Sequence, residues 1–446
     1  MPGLSPDKIE MLRGLVAASP DEVVRSLARA IGKSGGDSPL SAISDLVQAE
    51  SADRGVRFQT LRPVAALFGP DRGDGARFPR GALNALWRAM KEDKPDWVKQ
   101  AVEANYYIDP SEPFPGIFDL LCSRAASQLK TSTQPGYRAV RDLLQADHPG
   151  SAAVLILALE ITPVVRPALM KMPEWLQRMD DQRQAAARLA YRDAGAVGEG
   201  GGPLMFEMLA SHLKHPWQIL RIISSIMDHP EERYLATSEL ASFGERALAT
   251  VQANIDLARS LRPAAGEDQA QEAARAVQTA VEAIAEIDRS IQLAKDGPWG
   301  QRLSKLRHAL AGMVEQRLKE IDEAVAFVLP MQKVRISGRL TANAPKMDSP
   351  PDEAAFAWAT GLLNFCEGVR GCAQDGGFGG ARIKVLEAVG RRIDLYVEEV
   401  VDLMRLGDIE DEDRAREYLE VAAQLMTQVR DRRAGVLVRQ RAAAAA

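Results

Sequence analysis

The stretch "EDQAQEAARAVQTAVEAIAEIDRSIQLAKDGPWGQRLSKLRHALAGMVEQRLKEIDEAVAFVL", residues 267–329, decides the fold class. Apolar residues recur in it three and four positions apart: Ala270, Ala274, Val277, Val281, Ile284 and Ile291, then Leu303, Leu306, Leu310, Met313, Ile321, Val325 and Val328. That period gathers them onto one side of a helix, whereas a strand would alternate every second residue. Gly297-Pro298 interrupts the pattern. Proline has no amide hydrogen to give a helix interior and fits its first turn, so the pair marks a turn followed by a helix start. The spacing therefore predicts two helices, from about residue 269 to 295 and from about 301 to 329, each near 40 Å long at about 1.5 Å per residue. They are expected to fold back as one long antiparallel helical hairpin.

The same grammar runs through the rest of the chain. A small or polar residue, a proline and one or more acids recur at Ser5-Pro6-Asp7, Ser19-Pro20-Asp21, Lys94-Pro95-Asp96 and Ser349-Pro350-Pro351-Asp352. Proline suits the first helical position, and acids there meet the positive end of the helix dipole. An apolar helical period follows, such as Ile9, Leu12 and Leu15, or Val23, Leu27 and Ile31. Strand signals are confined to residues 333–342, where Val334, Ile336 and Leu340 alternate with polar residues around Gly338. The expected fold is all-α: a multi-helical bundle or solenoid-like subdomains containing the long hairpin. A solenoid in the first half would match the spacing of about 40 residues between several prolines.

Polar and glycine-rich breaks suggest an organisation. They separate an N-terminal helical region (1–130), a middle helical region (137–262) with a glycine-rich loop at 193–203, the hairpin (267–330), an irregular connector (331–352), a C-terminal helical region (353–433) and a disordered tail (434–446).

Composition excludes several classes. The 446 residues carry a formal net charge of −5, which gives no electrostatic reason for general nucleic-acid binding. Three cysteines, Cys122, Cys366 and Cys372, cannot form a disulfide framework and match no zinc-site spacing, so a cytoplasmic location is expected. The opening "MPGLSPDKIEMLRGL" lacks a charged segment followed by an apolar one, so no secretory leader is expected. The most apolar run, "SAAVLILALEITPVV", is short and interrupted by Glu160 and Pro163, so no membrane span is expected.

Motifs that resemble chemistry have plainer readings. Three of the five histidines, His212, His215 and His229, lie within "SHLKHPWQILRIISSIMDHPEER". His148, His215 and His229 each precede a proline, the slot of a residue that ends one helix or caps the next. A His212–His215 metal pair would need a third ligand, and Pro216 breaks the helix before one could sit in register. No metal site and no cofactor are expected. "AIGKSGGD" ends like a phosphate-binding loop, but Leu27 stands where that motif needs glycine. The clusters "GEGGGP" and "DGGFGG" precede helices without dinucleotide spacing, and only Arg382 lies close to either as a charge partner for an anion. Asp180 and Asp181 have no second acidic motif to share a magnesium ion with. Basic residues gather at Lys333, Arg335, Arg339 and Lys346, and again at Arg430, Arg432, Arg433, Arg439 and Arg441.

These readings lead to a non-enzymatic, cytoplasmic interaction protein, a scaffold, adaptor or regulatory subunit whose partner is another protein or a second copy of itself. The hairpin's small apolar residues make its face wider than two helices need, so Ala276, Ala283, Ile284 and Ile291 are the expected partner-binding residues. The alternative is an all-helical enzyme or small-ligand sensor, with its site near the loop from Gly198 to Pro203 and His212, His215 and His229.

Overall fold

The computed structural model describes residues 6–31, 41–69, 77–109, 113–131, 134–147, 149–262, 266–337 and 340–445. Among them are twenty α-helices and a single two-stranded sheet, so the protein is all-α. The chain divides into two compact units, Met1–Asp228 and His229–Ala446. His148, the Gly32-Lys33-Ser34 segment and Arg339 lie outside the described residues.

The N-terminal unit contains α1 (Pro6–Ala18), α2 (Asp21–Ile31), α3 (Ser41–Ala65), α4 (Arg80–Asp93), α5 (Pro95–Tyr106) and α6 (Ile117–Thr131). It continues with α7 (Pro135–Asp147), α8 (Ser151–Glu160), α9 (Thr162–Gln177), α10 (Asp181–Val197), α11 (Gly201–Ser211) and α12 (Leu220–Ile226). Helix α3 is the hub, packing against α1, α2, α5, α6, α9 and α11. Repeats in a solenoid touch only their neighbours, so this unit is a bundle and not a solenoid. Its centre is pinned by Arg166 of α9, buried, which donates to Asp119 at 2.8 Å and to the Thr60 carbonyl at 3.0 Å. The expected boundary near residue 130 is corrected: α6, α7 and α8 pack on one another, so the polar link between α6 and α7 joins neighbours within one core. No single described helix is long and apolar enough to cross a membrane, and α8 and α9 meet that test only as a pair bent by 71°.

The C-terminal unit contains α13 (Glu232–Leu235), α14 (Ala241–Arg259), α15 (Glu267–Ser290) and α16 (Pro298–Val328). After the hairpin of β1 (Met331–Ser337) and β2 (Leu340–Pro345) come α17 (Glu353–Gly368), α18 (Gly379–Leu406), α19 (Glu412–Val429) and α20 (Arg432–Ala445). The strands are antiparallel, with Met331 opposite Pro345 and Val334 opposite Ala342. Two acids cap helices: Asp352, which follows Pro350 and Pro351 just before α17, accepts from the amides of Ala354 and Ala355, and Asp411 from that of Arg414.

Three expectations change here. Helix α15 ends at Ser290 because Ile291 is extended (φ −121°, ψ 129°) and Gln292 exchanges backbone hydrogen bonds with Pro230 and Glu232. Its main neighbours are α14 and α17, while α16 packs chiefly on α17 and α18, so the two long helices are not each other's principal partners. The tail is not disordered: α20 lies on α19 with Gly435 and Val438 buried, and Arg439 pairs with both oxygens of Glu420 at 2.7 and 2.8 Å. A side chain at Gly435 would collide with the Ala423 carbonyl and Thr427, so glycine permits that close approach.

Candidate functional site

The proposed partner-binding residues are core. Ala276, Ala283, Ile284 and Ile291 are all buried within the C-terminal unit and offer nothing to a second protein. The wide small-residue face exists because α15 is covered by helices of its own chain. Ala274 touches the position of Gly368 on α17 so closely that a methyl there would clash.

The residues of the alternative ligand site have separate local surroundings. The glycines after α10 make a tight corner: Gly200 takes φ +77°, a side chain on Gly201 would strike the Ala194 carbonyl, and one on Gly202 would strike the Tyr191 ring. Backbone conformation accounts for Gly200, and close packing of α10 and α11 for Gly201 and Gly202. His212 ends α11, and burial holds its ring below the usual imidazole pKa, with the Pro63 carbonyl opposing. Its buried Nε2 has no hydrogen-bond partner. His215 precedes the 3-10 turn Pro216–Ile219 and stacks on Trp217 at 5.2 Å. His229 belongs to the other unit, where its exposed ring lies 5.2 Å from Tyr234 and 3.7 Å from the Glu231 carboxylate. Among the described residues, no three His, Cys, Asp or Glu side chains gather as metal ligands.

One helix N-terminus does hold an anion, supplied by the chain itself. Glu232, 2% exposed, accepts from the backbone amides of Trp299 (2.7 Å) and Gly300 (3.2 Å) in the first turn of α16 and of Ala294 (3.1 Å) in the turn before it. A carboxylate there satisfies amides that the helix cannot pair and meets the positive end of its dipole. Gly297 and Gly300 leave room for it, since side chains there would strike the Glu232 carboxylate and the Ala294 carbonyl. With the position filled from within, it has no capacity for a ligand.

A cleft of about 230 Å³ lies between α17, α18 and the end of α19. Leu363, Cys366, Glu367, Arg370, Arg382, Leu386, Gln428, Val429 and Arg430 line it, so its lining carries three arginines and one carboxylate, and a second carboxylate, Asp394, pairs with Arg430. Local folding explains how they arrive. After α17 the chain makes a 3-10 turn, Arg370–Cys372, and then the "DGGFGG" loop. Gly377 takes φ +79°, and Gly376 has no side chain to obstruct the buried ring of Phe378, which anchors the start of α18. Arg382, one turn into α18, then donates its Nε to the Cys366 carbonyl at 3.0 Å, capping the negative end of α17. Arg430 follows the last turn of α19, lies against Gly390 of α18 and pairs with Asp394 at 2.6 Å.

Glu367 is shared. Arg370 reaches its Oε1 at 3.1 Å and Arg382 its Oε2 at 2.7 Å. Glu367 is 58% exposed and Arg370 70%, so that pair is worth about 0–1 kcal/mol and is readily exchanged. Burial pushes the Cys366 thiol up to about 11, with Arg382 opposing, so it is protonated near neutral pH and a poor nucleophile. Two guanidiniums of the cleft thus already hold one carboxylate, and its thiol is not activated for covalent chemistry. Sequence reading had marked Arg382 beside the glycine loop and Arg430 in the basic C-terminal cluster, but it missed Arg370 and the convergence of all three. The available signal was the Glu367–Arg370 spacing of three residues, which is ordinary on any helix.

Compared with protein-family models, curated proteins and solved structures, the chain matches none.

Proposed function

We propose that this chain is a non-enzymatic helical interaction protein that grips an anionic group of another protein in the arginine cleft of its C-terminal unit. The observation that carries this reading is the lining itself: Arg370 and Arg382 share Glu367, and Arg430, paired with Asp394, stands beside them on a frame of packed helices. Arginine forks suit carboxylates and phosphates, and arginine is enriched where proteins meet. Ile383, exposed on the α18 turn preceding Leu386, extends the contact surface with an apolar residue beside the cleft. Cys122, Cys366 and Cys372 are buried free thiols, which suits the reducing cytoplasm in which we place the protein.

The test is affinity purification from the native cell, with the wild-type chain and an R370E/R430E variant as parallel baits. Both residues are substantially exposed, so the variant is expected to keep the wild-type circular dichroism spectrum. A protein recovered by the wild type and lost by the variant supports the reading. Recovery of the same proteins by both baits overturns it.

A further inference from the structure

Glu367 shows what the cleft's donors converge on. Its two oxygens are held by two different guanidiniums, Arg370 at 3.1 Å and Arg382 at 2.7 Å. Donors that reach both oxygens of one carboxylate can reach two oxygens of another oxyanion in the same place. Gln428 lines the same cleft and offers further N–H groups, while Arg430, whose two terminal nitrogens pair with Asp394, adds positive charge there. Resting on the reading that the cleft grips an anionic group, we propose that the group is a phosphate monoester and that Glu367 is a built-in competitor that keeps carboxylates out.

Charge and oxygen count separate the two ligands. An incoming Asp or Glu side chain brings one negative charge and two acceptor oxygens, which Glu367 already supplies from within the chain. A phosphate monoester brings a charge of about −1.5 to −2 and three acceptor oxygens. It can take over both donors of Glu367 and still present an oxygen to the Gln428 amide, or to Arg430 in exchange for its exposed pair with Asp394. The two ion pairs it displaces are cheap to open because Glu367 is more than half exposed. Size narrows the choice further. A cleft of about 230 Å³ is smaller than the roughly 300–1,000 Å³ of pockets that enclose a drug-sized ligand, so it takes a phosphate and its first carbons. Leu363, Leu386 and Val429 provide the apolar wall for that stem.

Isothermal titration of the full chain with inorganic phosphate, glycerol phosphate, acetate, a phosphoserine peptide and its glutamate counterpart tests the proposal. The wild type is expected to bind the phosphates about tenfold or more tightly than the carboxylates. R370A/R430A should weaken phosphate binding by about tenfold with an unchanged melting temperature. E367Q should tighten acetate and the glutamate peptide so that the gap closes to about threefold or less. A peptide that binds more tightly than glycerol phosphate assigns the group to a partner's phosphorylated side chain, and equal binding assigns it to a free ester. Equal affinity of the wild type for phosphate and acetate overturns the proposal, as does an E367Q variant with unchanged acetate affinity. Failure of the broader reading looks different: selective phosphate binding with no protein lost by the R370E/R430E bait removes the interaction role and leaves this ligand assignment standing.

Discussion

Replacing Glu232 with alanine removes the carboxylate shared by two amides in the first turn of α16 and one in the turn before it. The side chain is 2% exposed, and its partners are the amides of Ala294, Trp299 and Gly300 at 2.7–3.2 Å. Hydrogen bonds to a charged group contribute about 1.5–3 kcal/mol each, but they are not additive, because water re-enters part of the space left behind. Loss of an ordinary helix cap costs about 1–2 kcal/mol. Three amides losing a buried charged acceptor place E232A at about 3–5 kcal/mol. For a unit of about 150–250 residues each kcal/mol lowers the melting temperature by about 2–4 °C, so a fall of roughly 6–20 °C is expected in its transition. Urea denaturation followed by circular dichroism measures the loss, and amide exchange at Trp299 and Gly300 locates it. E232Q keeps one acceptor oxygen but points amide hydrogens at other donors, so it should fall between wild type and E232A. An E232A protein within about 1 kcal/mol of wild type, with exchange at Trp299 and Gly300 unchanged, would refute the account of the cap.

Three further outcomes follow from the core and its titrating groups. Paired charges at Ala276 and Ala283 should unfold the C-terminal unit, because both positions are buried and an unpaired charge there is costly; retained helicity and melting temperature would return these residues to the surface. G202V should destabilise the N-terminal unit by about 1–3 kcal/mol, since the first side-chain carbon already lies 2.6 Å from the Tyr191 ring, and a neutral urea midpoint would show that the α10–α11 corner yields freely. His212 binds protons less readily in the fold than in the unfolded chain, where its pKa is about 6.5. Its contribution is present above that value and is lost as pH falls below it, so wild-type urea midpoints should drop more steeply from about pH 7.5 to 5 than those of H212Q; parallel profiles would dismiss His212 as a source of the pH dependence.

Fold class and helix starts were legible in the chain because they depend on neighbours within a turn or two. Pro298 opens α16, Asp352 and Asp411 cap α17 and α19, and the three- and four-residue apolar period marks the long helices. The glycine runs were legible as helix breaks for the same reason. Nothing local said which surface would cover α15. Burial of an apolar face is favourable against any matching face, so the pattern of Ala276 and Ala283 required a cover without naming it. Packing placed that cover in α14 and α17 of the same chain and turned an expected interface into core. Glu232 looked like one more acid at a helix start, and only the fold brings it to amides 62, 67 and 68 residues away. The cleft is the same case: Arg370, Arg382 and Arg430 come from a 3-10 turn, a helix start and a helix end. The sequence by itself determined that the chain is helical and where several helices start, because capping and periodicity act over a few residues, whereas the end of α15 was set by contacts with Pro230 and Glu232. Only the tertiary structure decided which charges meet, because that depends on how faces with no directional preference of their own finally pack.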